Sequence, residues 1–153
     1  MKNIFKFILA IALTAASLNA KTIIVGSDAE YPPFEYIDEN GKISGFDIDL
    51  IGEISKIAGF EYKFIKVGFD ALIPALKAGK VDVVIVDSSV GFGYLKKNSD
   101  IISFLEEADG SDGFAFAFDK GKDSEFLAKF NAALKEVKEN GTYDKLLIKY
   151  DLK

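Results

Sequence analysis

The sequence contains no cysteine, no histidine, no tryptophan and no arginine. Without cysteine there is neither a disulfide framework nor a thiolate metal site, and without histidine the usual imidazole base and metal ligand are missing too. Serine–histidine triads and zinc centres are therefore excluded. All 19 basic residues are lysine, so no guanidinium fork exists to grip a carboxylate or phosphate at two points, and a formal net charge of −5 disfavours nucleic acid as a partner. No residue pattern calls for a cofactor. Hydrophobic side chains are plentiful, at 49% of 153 residues, which suffices for one ordinary core and is short for two.

The first twenty residues differ in kind from the rest. Lys2 and Lys6 precede an apolar run from Phe7 to Ala16, and Ser17-Leu18-Asn19-Ala20 follows. That is the layout of a secretory signal peptide, and the run is shorter than the roughly 20 residues that span a bilayer. Cleavage after Ala20 is expected, leaving residues 21–153 as one exported, acidic domain. No cysteine follows the run to accept a lipid anchor.

Val81, Val83, Val84, Ile85 and Val86, broken only by Asp82, predict a strand covered on both faces at the centre of a parallel sheet. Asp87, Ser88 and Ser89 follow, where a helix over about 88–97 is expected to begin. Side-chain oxygens and free backbone N–H groups thus gather at the strand's carboxyl end, the edge where open α/β sheets bind ligands. Thr22 to Gly26 reads as a first strand. In Asp28 to Tyr36, the pair Pro32-Pro33 forbids a helix and holds Tyr31, Phe34 and Tyr36 on a stiff extended loop that cannot bury all three rings.

A turn at Asp38 to Lys42 leads to a helix through Ile48, Leu50, Ile51, Ile54 and Ile57-Ala58, stopped by Gly59. A strand over Glu61 to Val67 and a helix over Phe69 to Gly79, with Pro74 in its first turn, come next. Strands are expected at Ile101 to Leu105 and Phe114 to Phe118, with a solvated turn between them at Glu106 to Gly113 rather than a calcium loop. Phe126, Leu127, Phe130, Ala133, Leu134 and Val137 form one apolar stripe on a helix over Glu125 to Glu139, and Thr142 is placed to cap a last short helix. Glu35, Asp38, Glu39, Asp47 and Asp49 read as a solvated face rather than a metal cluster. The alternation β-α-β-α-β-α-β-β-α predicts an α/β fold, a single three-layer domain with a mainly parallel sheet.

Several segments, in order, resemble the periplasmic solute-binding proteins of family 3, which feed polar amino acids to ABC transporters. They are V-G-S-D-A-E-Y-P-P-F-E-Y, G-F-D-I-D-L, F-D-A-L-I-P-A-L-K-A-G-K-V-D-V-V-I and E-N-G-T-Y-D-K-L, behind a signal peptide. The resemblance breaks at residues 79–89, where the family's threonine- and arginine-bearing segment and most of a second lobe are missing. Those residues read as a seam that fuses lobe one to a remnant of lobe two.

The resemblance implies that Tyr31 and Phe69 sandwich a ligand, that Asp28 is a polar contact and that Asp87 binds an ammonium group. Ser88, Ser89 and their helix start are the donors left for a carboxylate. The implied partners are a small amino acid or amine and an ABC transporter permease, in the periplasm. Plainer readings stand beside these. Asp87 with two serines is also a helix N-cap, and Tyr31 and Phe69 also suit the edge of a core. A receiver domain keeps acids at the same strand ends, but a signal peptide argues against one. A few relatives of binding proteins are dehydratases, yet no base, acid and nucleophile stand together, so an enzyme is not expected. A rearranged relative that folds without binding ligand is the other alternative.

Overall fold

A computed structural model of the chain describes residues 21–87, 101–104 and 114–153. In chain order the elements are β1 (Thr22–Ser27), β2 (Glu30–Tyr31), β3 (Glu35–Ile37), β4 (Ile43–Ser44), α1 (Phe46–Ala58), β5 (Glu61–Lys66), a 3₁₀ turn (Phe69–Ala71), α2 (Leu72–Lys77), β6 (Val83–Asp87), β7 (Ile101–Phe104), β8 (Phe114–Asp119), α3 (Ser124–Glu139) and α4 (Thr142–Lys149). The main sheet has the order β5-β1-β6-β8-β7. β5 and β6 flank β1 in parallel, and β8 runs antiparallel to both its neighbours, so four strands point one way and one points back.

The period of two along each strand divides the core into two layers. Ile23, Val25, Val83, Ile85, Phe116 and Phe118 pack with α1, α3 and α4, whereas Val84, Val86, Ala115 and Ala117 pack with α2. β8 shows the division most plainly, since its phenylalanines serve the thick layer and its alanines the thin one. Phe130 anchors the thick layer, with its ring 5.5 Å from Phe116, 5.2 Å from Phe118 and 6.3 Å from Phe60. Helices on both faces of a mostly parallel sheet make this the expected α/β architecture.

The seam strand is central, as a fusion of two equivalent strands requires. β6 pairs with β1 on one side and along its whole length with β8 on the other, and Val83 to Val86 are buried. Gly59 ends α1 in the left-handed conformation, φ 73°, and its N–H donates to the Ser55 carbonyl. Pro74 falls in the first turn of α2, where it removes no helical hydrogen bond.

Three expectations are corrected. The segment expected as one helix from Phe69 to Gly79 divides into a 3₁₀ turn and a six-residue helix. Thr142 is the first residue of α4 and not its cap; Gly141 holds the cap position, and the Asn140 side chain accepts the Thr142 N–H at 2.9 Å. The loop after β1 also holds a small antiparallel sheet, β2-β3-β4, formed by strands of two or three residues, too short to show a period. The signal peptide, the helix expected over about 88–97 and the acidic turn at 106–113 lie outside the described residues. Among the described residues, no helix is long and apolar enough to cross a membrane.

Candidate functional site

Connections leaving β1 and β6 diverge. β1 leads through α1 to β5 on one side, and β6 continues to β7 on the other. The carboxyl ends of β1 and β6 therefore flank a topological switch point, where open α/β sheets leave a crevice. Asp28 follows β1 there, and Asp87 closes β6 three residues beyond the Gly26–Val84 pair. Phe69 lies just past β5, in the turn that opens on Gly68, and its side chain is 48% exposed. The sequence-predicted residues Asp28, Phe69 and Asp87 thus belong to one edge of three adjacent parallel strands. Ser88 and Ser89 lie outside the described residues.

The turn after β1 is fixed locally. Ser27 is buried, its hydroxyl oxygen accepts the Ala29 N–H at 2.9 Å, and its carbonyl accepts the Val67 N–H at 2.9 Å. Ala29, also buried, takes φ 52°, a left-handed conformation that non-glycine residues seldom hold. The chain is thereby turned from β1 into the small sheet that carries Tyr31. That ring is 55% exposed and tilted against Phe34 at 6.3 Å. At the rim, Lys66 pairs with Glu30 at 2.9 Å.

The small sheet is docked on the first turn of α1. Gly45 brings the backbones together, so that the Phe46 N–H donates to the Pro33 carbonyl and the Asp47 N–H to the Phe34 carbonyl, each at 3.0 Å. These bonds satisfy helix-start donors that no side chain caps. Beneath them, Glu35 of β3 and Asp47 of α1 are 2% and 3% exposed, which corrects the expectation that both belong to a solvated face. Their side chains are hydrogen-bonded to each other. Burial pushes the Asp47 carboxyl up to about 7, the bond from Glu35 opposing it. Two adjacent carboxyls cannot both ionise cheaply without water, so the pair favours keeping a proton below that pH.

The rest of the supposed acidic face is dispersed. Asp49 accepts the Tyr150 hydroxyl at 2.7 Å and pairs with Lys149. Asp38 accepts the Asn40 and Lys42 N–H groups within its turn. No group of three or more acids among the described residues is placed to hold a metal ion. A cavity of about 250 Å³ opens at the opposite, amino-terminal edge, lined in part by Lys21, Asp82, Lys122 and Asp123. Its lysines are already paired, Lys21 with Asp123 at 2.7 Å and Lys122 with Asp119 at 2.8 Å.

The family model of bacterial extracellular solute-binding proteins, family 3, matches residues 23–153. A probable histidine-binding protein of Campylobacter jejuni is 26% identical over 219 residues, covering 86% of this chain and 85% of the relative. The lysine/arginine/ornithine-binding periplasmic protein of Escherichia coli is 42% identical over 93 residues, 56% of this chain and 36% of the relative. Among solved structures, the arginine-bound form of domain 1 from TmArgBP is similar with a TM-score of 0.58 at 32% identity, covering 75% of this chain and 92% of that one. The Campylobacter alignment is longer than this whole chain, so the relative holds an internal stretch that this chain lacks. Against other curated relatives the chain spans less than half of their length. Both facts fit a protein with most of the second lobe missing.

Proposed function

The chain belongs to the bacterial extracellular solute-binding proteins of family 3, and we propose that it binds a small amino acid or amine outside the cytoplasm, without catalysing its conversion. One observation supports this reading: Asp28, Phe69 and Asp87 follow or close β1, β5 and β6, three adjacent parallel strands, at their common carboxyl edge, and Tyr31 and Phe69 are exposed. Asp28 and Asp87 neutralise an ammonium group there. Tyr31 and Phe69 add cation–π contacts of roughly 0.5–2 kcal/mol each, and Ser88 and Ser89 donate to a carboxylate. A cationic amino acid satisfies the acids and the rings together. That domain 1 of TmArgBP has an arginine-bound form supports binding by one lobe, since it is 32% identical to this chain.

Binding is weaker than in two-lobed relatives. A charged hydrogen bond contributes about 1.5–3 kcal/mol, so the missing arginine costs tenfold or more in affinity. The reading includes export with cleavage after Ala20 and delivery of ligand to an ABC transporter permease. The absence of arginine, together with a missing second lobe, favours a second reading, a relative that folds but has lost its ligand.

Isothermal calorimetry against arginine, lysine, histidine, glutamine and polyamines separates the two readings. Saturable heat with a cationic member, lost in Asp87→Asn and in Phe69→Ala, is the expected result. A well-folded sample that gives no heat with any member supports the lapsed binder. Binding that both variants leave intact moves the site elsewhere.

A further inference from the structure

We propose that Glu35 and Asp47 are a positioning pair: one proton shared between their buried carboxyls locks the small sheet β2-β3-β4, and with it Tyr31, onto the first turn of α1. Three observations meet here. The side chains come from different elements, β3 and α1, and are 2% and 3% exposed. Asp47 Oδ2 is buried with no hydrogen-bond partner, so a negative charge placed on it is uncompensated. Directly above, the bonds from the Phe46 and Asp47 N–H groups to the Pro33 and Phe34 carbonyls tie the Tyr31 turn to the helix, and Tyr31 accepts the Phe34 N–H within that turn. Separating the sheet from α1 exposes the pair to water and lets both carboxyls ionise.

Among the described residues, the titratable groups on the elements packed around Asp47 have contacts of their own. On α4, Lys149 and on the chain beyond it Tyr150 are taken by Asp49. Lys56 of α1 pairs with Glu53, and Tyr62 of β5 sits over Gly52. Asp38 of the β3–β4 turn accepts the Lys42 backbone N–H and the Ser44 hydroxyl, and on the α3 side Lys138 lies over the Tyr143 ring. Among the described residues, the Glu35 side chain is what acts on Asp47 besides burial itself.

The sign follows from linkage. A carboxyl raised while docked and ordinary when undocked favours the docked form fully below the ordinary carboxylate value, and that advantage is lost as pH rises to about 7. Above that pH it no longer changes. The proposal extends the ligand-binding reading by naming what places Tyr31, but amide exchange tests it without any ligand.

Exchange protection of the Phe46 and Asp47 amides in the intact protein, taken relative to β1 amides, is expected to fall by up to about tenfold per pH unit between 4.5 and 7 and to level off above 7. Glu35→Gln supplies a permanent donor and should flatten the profile, whereas Glu35→Ala should lower protection at every pH. Asp47→Asn, read in the same way, covers the case in which Glu35→Gln fails to fold. Protection that is flat across the range in the native chain, or a slope that persists in both amide variants, overturns the proposal. Calorimetry with the same panel of amino acids and polyamines at pH 5.5 and 8 then separates the two ideas. The expected slope with no heat from any member at either pH leaves the lock standing and removes the binding reading.

Discussion

Gly45 has φ 136°, and a Cβ built on it would stand 2.1 Å from the Phe34 carbonyl oxygen, a distance no relaxation of a side chain relieves because the obstacle is backbone. The closeness is what lets α1 take its N-terminal hydrogen bonds from Pro33 and Phe34. Gly45→Ala is therefore expected to destabilise the protein by about 2–4 kcal/mol in urea unfolding, through strain and the loss of those bonds. Gly68→Ala, with nothing within 4 Å of its Cβ and an ordinary φ of −57°, should stay within about 0.5 kcal/mol. Equal losses at the two positions would remove the close approach from the account. The sequence shows a glycine before a helix start in both a functional and a trivial case, so the role of Gly45 was not legible. Nor was the burial of Glu35 and Asp47, because a carboxylate at helical or strand spacing carries no local mark of what will cover it. That Tyr31, Phe34 and Tyr36 could not all be buried was legible, since two prolines forbid a helix there, and Tyr31 is the exposed one of the three.

At the scale of elements, α3 shows why long periodic segments can be read and short ones cannot. Its stripe repeats over four turns, and the structure buries Phe130, Ala133 and Val137 while Phe126, Leu127 and Leu134 pack at the margin. β2, β3 and β4 offer two or three residues each, and their pairing depends on the turn that brings them together. Removing the stripe's anchor by Phe130→Ala should cost about 3–5 kcal/mol, because four other rings surround the cavity it leaves. Asp123 caps the same helix, its carboxylate accepting the Phe126 N–H at 2.9 Å, and the Lys21 ammonium and that N–H hold its carboxyl below the usual range. Asp123→Ala is expected to lose about 1 kcal/mol, nearly all of it from the cap, since the exposed pair with Lys21 is screened. The sign is that of a lowered carboxyl: the stabilisation is present above the ordinary carboxylate value and disappears as pH falls through the lowered one. Urea midpoints at pH 7 and at successively lower pH check this, the gap between the variant and the parent narrowing as pH falls below the ordinary carboxylate value.

For the whole molecule, the two layers of core differ in how they are closed. Among the described residues, the thin layer is covered by α2, which follows β5 closely in sequence, whereas the thick layer depends on α3 and α4 returning from the far end of the chain to cover β1, β6 and α1. This long-range closure gives the fusion reading its physical content: a rearrangement that kept a strand paired on both sides also had to keep the helix that covers it. Phe130, Ala133, Val137 and Leu146, with the partly buried Phe126, Leu127 and Leu134, contribute on the order of 10 kcal/mol of gross transfer free energy. Domains of this size are stable by only about 5–15 kcal/mol net. A chain ended after Gly121 is therefore expected to lose the cooperative unfolding transition, to bind a hydrophobic dye and to expose the phenylalanines of β8. Circular dichroism melting and dye fluorescence read both effects. A truncated chain that still melts cooperatively would mean that β5, β1 and β6 with α1 and α2 form a self-sufficient unit, and α3 would then be a cover on a finished core rather than half of it.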